Sequence, residues 1–133
     1  METVNVHDNV VEDIWSYMDK KMKDQKDFSV YELINALSSV EIFNIFKKHD
    51  YAMWYGSDMA DVTKGAISSW IDKNDSKFRD VLPDDFPFDE DDVKRLIRED
   101  DWEDDLWDMY FAMDEFADDV QTICDMEFEE YRR

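Results

Sequence analysis

Residues 102–131 read WEDDLWDMYFAMDEFADDVQTICDMEFEEY, and the way this stretch folds decides the fold of the chain. Trp102, Leu106, Met109, Met113, Phe116, Val120 and Ile123 are separated by steps of 4, 3, 4, 3, 4 and 3. Such alternation keeps apolar side chains on one stripe of an α-helix, as a core or a coiled-coil seam requires. Tyr110, Ala117, Cys124 and Tyr131 flank the stripe seven residues apart. Most other positions are acidic. A disordered acidic tail would lack the apolar and aromatic residues found here. The spacing predicts a long helix from about Trp102 toward the C-terminus, with its carboxylates held in a fixed array.

Working upstream, Pro83-Asp84-Asp85-Phe86-Pro87-Phe88 reads as a turn-rich linker. Asp89 after it is placed to cap a helix with Glu90, Asp91 and Asp92 in its first turn and Val93, Leu96 and Ile97 as its core face. Ser57 or Asp58 opens an earlier helix with Val62, Ala66, Ile67, Trp70 and Ile71 inward, and Asn74-Asp75-Ser76 breaks it. Ser29-Val30-Tyr31-Glu32 has the form of a capping box, followed by Leu33, Ile34 and Leu37. Ser39-Val40-Glu41 starts another helix with Ile42, Phe43, Ile45 and Phe46 inward. Asp8-Asn9 is a candidate cap for the first, with Val11, Ile14, Trp15, Met18 and Met22 on its face. Residues 50–57 (DYAMWYGS) are aromatic and aperiodic, which predicts a packed loop.

The composition agrees with helices. Only two glycines and two prolines occur in 133 residues, and no Asn-Gly or Asp-Gly pair is available for tight hairpins. The expectation is an all-α, single compact domain over residues 1–133, with five to six helices and a long acidic C-terminal helix. A single cysteine excludes an internal disulfide, and no Cys/His cluster has zinc spacing. The start of the chain lacks the pattern of a signal peptide, and no stretch approaches membrane-spanning length. These features point to a soluble protein of the cytoplasm, needing no cofactor.

Charge is distributed unevenly. Residues 1–80 carry 15 acids and 10 bases, a net of −5, while residues 81–133 carry 21 acids and 5 bases, a net of −16. From Glu99 to Glu130 there are 15 acids and no lysine, and the only arginines beyond them are terminal. As one helix this span would be about 48 Å long. One strand of duplex DNA carries about 14 phosphates over that length. Like charges at i, i+4, such as Glu99/Glu103, Asp101/Asp105, Asp114/Asp118 and Glu115/Asp119, destabilise a helix by a few tenths of a kcal/mol each. Selection for stability alone would intersperse both signs. Plain solubility is the competing reading; adaptation to high salt fits poorly with a localised surplus and abundant aromatics.

In these respects the chain resembles the small acidic DNA-mimic proteins of phages and mobile elements, the Ocr-type anti-restriction proteins above all. The likeness lies in the opening helical region Asp8-Asn9-Val10-Val11-Glu12-Asp13, the helical middle, the break at Pro83, and the final run with Leu106-Trp107-Asp108 among acids. The resemblance implies an inhibitor, made in a bacterial host cell, whose carboxylates imitate phosphates. Its partner would be a basic DNA- or RNA-binding protein of a host defence system, such as a restriction enzyme or CRISPR effector. The net charge of −21 would repel nucleic acid and anionic membrane, so no direct binding of either is expected; the seam leaves a homodimer open. Lysines at Lys20, Lys21, Lys23 and Lys26 confine the implied surface to the C-terminal half. The candidate phosphate-mimicking acids are Asp84, Asp85, Asp89, Glu90, Asp91, Asp92, Glu99, Asp100, Asp101, Glu103, Asp104, Asp105, Asp108, Asp114, Glu115, Asp118, Asp119, Asp125, Glu129 and Glu130.

Other chemistries find little footing. Asp84–Asp92 has acids but not the central glycine of an EF-hand loop. No glycine-rich phosphate loop, serine elbow or zinc signature occurs. His7 lies near the N-terminus, His49 closes a helix beside Lys47 and Lys48, and Cys124 borders the apolar seam. The expectation is therefore a protein that is not an enzyme. The alternative is an adaptor or cognate-specific inhibitor in which aromatic side chains bind and acid only steers. Trp54 and Tyr55 are candidate contacts for it, although large aromatics more often fill a core.

Overall fold

Helix α4 (Met59–Lys73) packs between two other helices. Nine of its residues are buried, including Thr63, Lys64 and Ser68 besides the apolar set, so it is covered on most sides. Helix α1 (Val6–Lys21) packs on one flank and the long α6 (Asp105–Tyr131) on another. Helices α2 (Val30–Ala36), α3 (Ser39–Lys48) and α5 (Glu90–Asp100) also pack on α6, and α1 meets α3. The computed structural model describes residues 6–49, 59–79, 82–83, 86, 89–100, 102 and 105–131, excepting the side chains of residues 6, 7, 100, 105, 124 and 127–131. Among the described residues there are six α-helices, one 3-10 turn (Asp75–Lys77) and no β-strand: an all-α, single compact domain. The aromatic stretch 50–57 and the capping residues Ser57 and Asp58 lie outside the described residues.

The periodic positions are buried as their spacing requires. Ile14, Met18, Leu33, Ile42, Phe46, Ile67, Trp70, Ile71, Leu106 and Met113 lose essentially all contact with water. At roughly 1.5–3 kcal/mol for each large side chain removed from water, this core supplies the main driving force for the fold. The seam of α6 is spent inside the molecule: Leu106, Met109, Met113, Phe116 and Val120 are buried and Ile123 partly so. Trp102 departs from the expectation. It precedes the helix, half-buried and non-helical, and α6 opens only at Asp105.

Capping explains several boundaries. Ser29 Oγ accepts from the amide of Glu32, and Ser38 Oγ from the amide of Glu41. The second cap is Ser38, one residue before the expected start. Neither glutamate closes the box. Glu32 pairs with Arg79 at 3.2 Å and Glu41 with Lys21 at 3.7 Å, so each links its helix to another part of the chain. Asp89 caps α5 as expected, accepting from the amide of Asp92 at 2.9 Å. Asp8 and Asn9 do not cap α1, because that helix already runs from Val6; Asp8 sits in its first turn, where acid complements the helix dipole.

One tertiary tie is invisible to periodicity. Phe28 and Phe78 form an isolated parallel β-bridge, with Asp27 N–H donating to Lys77 at 2.8 Å and Arg79 N–H to Phe28 at 2.9 Å. Asp27 adopts φ 58°, a left-handed conformation that short polar side chains tolerate. Phe28 and Phe78 meet edge-on at 4.7 Å, and Trp70 packs beside Phe78. The bridge fastens the α1–α2 connection to the chain leaving α4. Trp15 and Trp70 complete the clamp: their indole N–H groups donate to Ala66 O and Asp19 respectively.

Candidate acidic interface on the long helix

The acids from Glu99 onward do not lie on one helix. Helix α5 ends at Asp100, Trp102 is non-helical, and α6 begins at Asp105. Helix α6 alone has 27 residues and spans about 40 Å. Asp84, Asp85, Asp101, Glu103 and Asp104 lie outside the described residues. Asp100, Asp105, Glu129 and Glu130 lie on helices, but their side chains are outside the description.

The acids of α5 are largely occupied. Asp89 is the cap, Glu90 pairs with Lys94 at 3.6 Å, and Arg95 reaches both Asp92 at 3.9 Å and Glu99 at 3.7 Å. These are exposed pairs of small energetic weight. They still place cations among the anions. Asp91 is exposed in the first turn. Helix α5 is therefore an ordinary amphipathic helix with a mixed polar face, not a phosphate-like array.

Helix α6 is different, because its residues 105–131 contain no lysine or arginine. Asp108, Glu115, Asp118, Asp119 and Asp125 are exposed. At 3.6 residues per turn, all five fall within an arc of about 120°, opposite the buried seam. They cover an axial length of about 26 Å, with about 6 Å on average between successive charges. A DNA strand carries one per about 3.4 Å, so the described face is more sparsely charged than a strand, not equal to it. Asp125 accepts from Gln121 at 3.1 Å, while Gln121 also accepts from the amide of Ala60 near the start of α4.

Asp114 does not belong to this array. It lies at the margin of the arc and accepts from Lys64 Nζ on α4 at 3.0 Å. Lys64 is only 8% exposed. Burial pulls its pKa down, but the hydrogen bond it donates to Asp114 and the neighbouring Tyr110, Asp114 and Asp61 outweigh it, leaving the net shift upward. Lys64 stays charged and also lies over the Tyr110 ring at 5.7 Å. The pair fastens α6 to α4 and turns one predicted phosphate mimic into an internal strut. A lysine among Val62, Ala66 and Ile67 was the available signal, but its partner is 50 residues away.

Phe111 was not singled out by the sequence, yet it is 55% exposed within the acidic arc. Its ring stacks on Trp107 with centroids 5.4 Å apart and planes 22° from parallel. Met126, further along the same arc, is also exposed.

A second polar cluster joins α1 to α3. Nε2 of His49 lies 2.6 Å from Oδ2 of Asp13, and Lys48 Nζ lies 3.4 Å from the same oxygen. A carboxylate can only accept, so the ring nitrogen donates. The His49 hydrogen bond, aided by Lys48 and opposed by burial, holds the Asp13 carboxyl below its ordinary range. The cluster borders a groove of about 370 Å³ lined by Asp13, Ser16, Tyr17, Lys20, Glu41 and Lys48, among others. Burial and the Glu41 carboxylate push Tyr17 up to about 12, so its hydroxyl stays neutral and accepts from the Ser38 amide. Asp13 pairs with Lys48 and His49, and Glu41 with Lys21, and these contacts brace α1 against α3.

A lowered carboxyl pKa in the folded state contributes stability that is present above the unfolded value, near 3.9, and is lost as pH falls through the folded value. Asp13→Asn is expected to lower the melting temperature at neutral pH and to flatten its fall below about pH 4. Thermal melts of both proteins between about pH 7 and pH 2.5 check this. Parallel curves would remove Asp13 from the account of acid sensitivity.

Among the described residues no group of three or more His, Cys, Asp or Glu side chains could hold a metal ion, and no helix is long and apolar enough to cross a membrane. No protein-family model, curated protein or solved structure matches the chain.

Proposed function

We infer that this protein is a stoichiometric inhibitor that occupies the basic nucleic-acid cleft of a host-defence protein, its α6 carboxylates standing in for backbone phosphates. The observation that carries this reading is the exposed arc of Asp108, Glu115, Asp118, Asp119 and Asp125 on a helix with no basic residue. Its opposite face is buried in the core, so the array is fixed to a packed scaffold and needs little ordering on binding. The carboxylates perform no reaction. They compete for lysine and arginine that would otherwise meet phosphate, with fast, salt-sensitive association.

The test is inhibition of cleavage by purified restriction endonucleases and CRISPR effectors, with protein titrated against enzyme. The proposal expects cleavage by at least one to stop near equimolar protein. Binding should weaken with salt less steeply than DNA binding, because the sparser array releases fewer condensed counterions. Uninhibited cleavage across such a panel counts against it.

A second reading, a cognate-specific inhibitor anchored by aromatic contacts, has the exposure of Phe111 in its favour. At about 0.5 M salt the screening length is only a few ångströms. Binding that persists there favours aromatic anchoring; binding that disappears favours charge mimicry.

A further inference from the structure

We propose that Trp107 and Phe111 make the α6 face selective for arginine over lysine, so that its partner presents an arginine-bearing segment at this point. The inference rests on the reading of α6 as a cation-seeking surface and names the cation. Asp108, Phe111 and Glu115 follow one another at i, i+3 and i+7. They share one face of the helix, and Trp107 backs the Phe111 ring. An aromatic ring presents a negative face to a cation, and carboxylates lie on both sides of it.

The rest of the molecule sharpens the contrast. Four described aromatic rings have an internal lysine above them: Lys21 over Tyr17, Lys64 over Tyr110, Lys73 over Trp15 and Lys77 over Trp70. The Trp107–Phe111 stack has none among the described residues, and α6 carries no basic side chain to supply one. Among the described residues none supplies a cation to it, which leaves the ring open to a partner's cation.

Arginine suits the site for a geometric reason. A planar guanidinium can lie flat on the Phe111 ring while its N–H groups reach Asp108 or Glu115. An ammonium is a compact, strongly hydrated point charge. It must choose between shedding water onto the ring and staying with the carboxylate. Phosphates along a strand offer no comparable ring, so this contact would add to charge imitation.

The experiment titrates the intact protein with oligo-arginine and oligo-lysine peptides of equal length at moderate salt. Phe111→Leu keeps apolar bulk on an exposed helix position and removes the ring. It is expected to weaken oligo-arginine binding about two- to fivefold and to leave oligo-lysine binding nearly unchanged. Phe111→Trp is expected to preserve the preference. Asp108→Asn with Glu115→Gln is expected to weaken both peptides. Equal losses for both peptides on Phe111→Leu, or no loss for either, overturn the proposal. The underlying reading fails separately. If the arginine preference disappears with Phe111→Leu but no nucleic-acid-cleft enzyme is inhibited, the contact stands and the mimic falls. If enzymes are inhibited equally by wild type and Phe111→Leu, the mimic stands and the contact falls.

Discussion

Replacing Asp108, Glu115, Asp118 and Asp119 together by their amides is expected to weaken target binding about 100-fold while leaving the protein folded and slightly more stable. Each exposed charge that meets a cation contributes about 0.7 kcal/mol, within the range for exposed ion pairs. Four such contacts sum to about 2.8 kcal/mol, or two decades of affinity. Stability should move the other way. Glu115/Asp119, Asp114/Asp118 and Glu115/Asp118 are like-charge neighbours at i, i+4 or i, i+3 on α6. Relieving them returns about 1 kcal/mol. Urea denaturation and a binding titration on the same preparation check both signs. A drop in stability would mean these acids are structural, and unchanged affinity would mean the arc is merely solubilising.

Asp114 must be left out of that substitution, and its own removal has the opposite outcome. Asp114→Ala leaves the Lys64 ammonium buried without its anion. Removing one partner of a fully buried pair destabilises by about 3–5 kcal/mol. The Asp114 side chain is 36% exposed, so solvent screening reduces the expected loss to about 2 kcal/mol. Lys64→Met is expected to be milder, below about 1 kcal/mol, because an unbranched apolar side chain fills much of the same space and Asp114 can turn to water. The double change Lys64→Met with Asp114→Leu should recover most of what Asp114→Ala loses. Chemical denaturation of the four proteins provides the comparison, and equal losses for the two single changes would contradict the asymmetry.

This contrast shows what was legible in the sequence and what was not. Local order was readable where a physical period or a capping residue records it. The 4, 3 spacing from Leu106 to Val120 marked the buried seam, and Asp89 marked the start of α5. Spacing alone could not fix where α6 begins. Trp102 continues the arithmetic of the stripe but precedes the first helical turn, so the described acids of 99–130 divide between two helices. Contacts between distant residues leave no periodic trace. The Phe28–Phe78 bridge, the Lys64–Asp114 strut and the His49–Asp13 pair each join residues at least 36 positions apart. Of the candidate acids, residue type alone could not distinguish Asp114, turned toward a buried lysine, from Glu115, turned toward water. It also could not show that the helix exposes Phe111 between acids while burying Tyr110 beside it.

If the α6 face and a nucleic-acid strand fill the same cleft, an enzyme can hold one or the other but not both. An enzyme inhibited by this protein is mixed with labelled duplex and increasing inhibitor, and the complexes are weighed by native mass spectrometry. Enzyme–duplex and enzyme–inhibitor species are expected to replace one another as inhibitor rises, with none containing all three. A stable ternary complex would contradict it, because a surface that stands in for phosphate cannot bind where phosphate already lies.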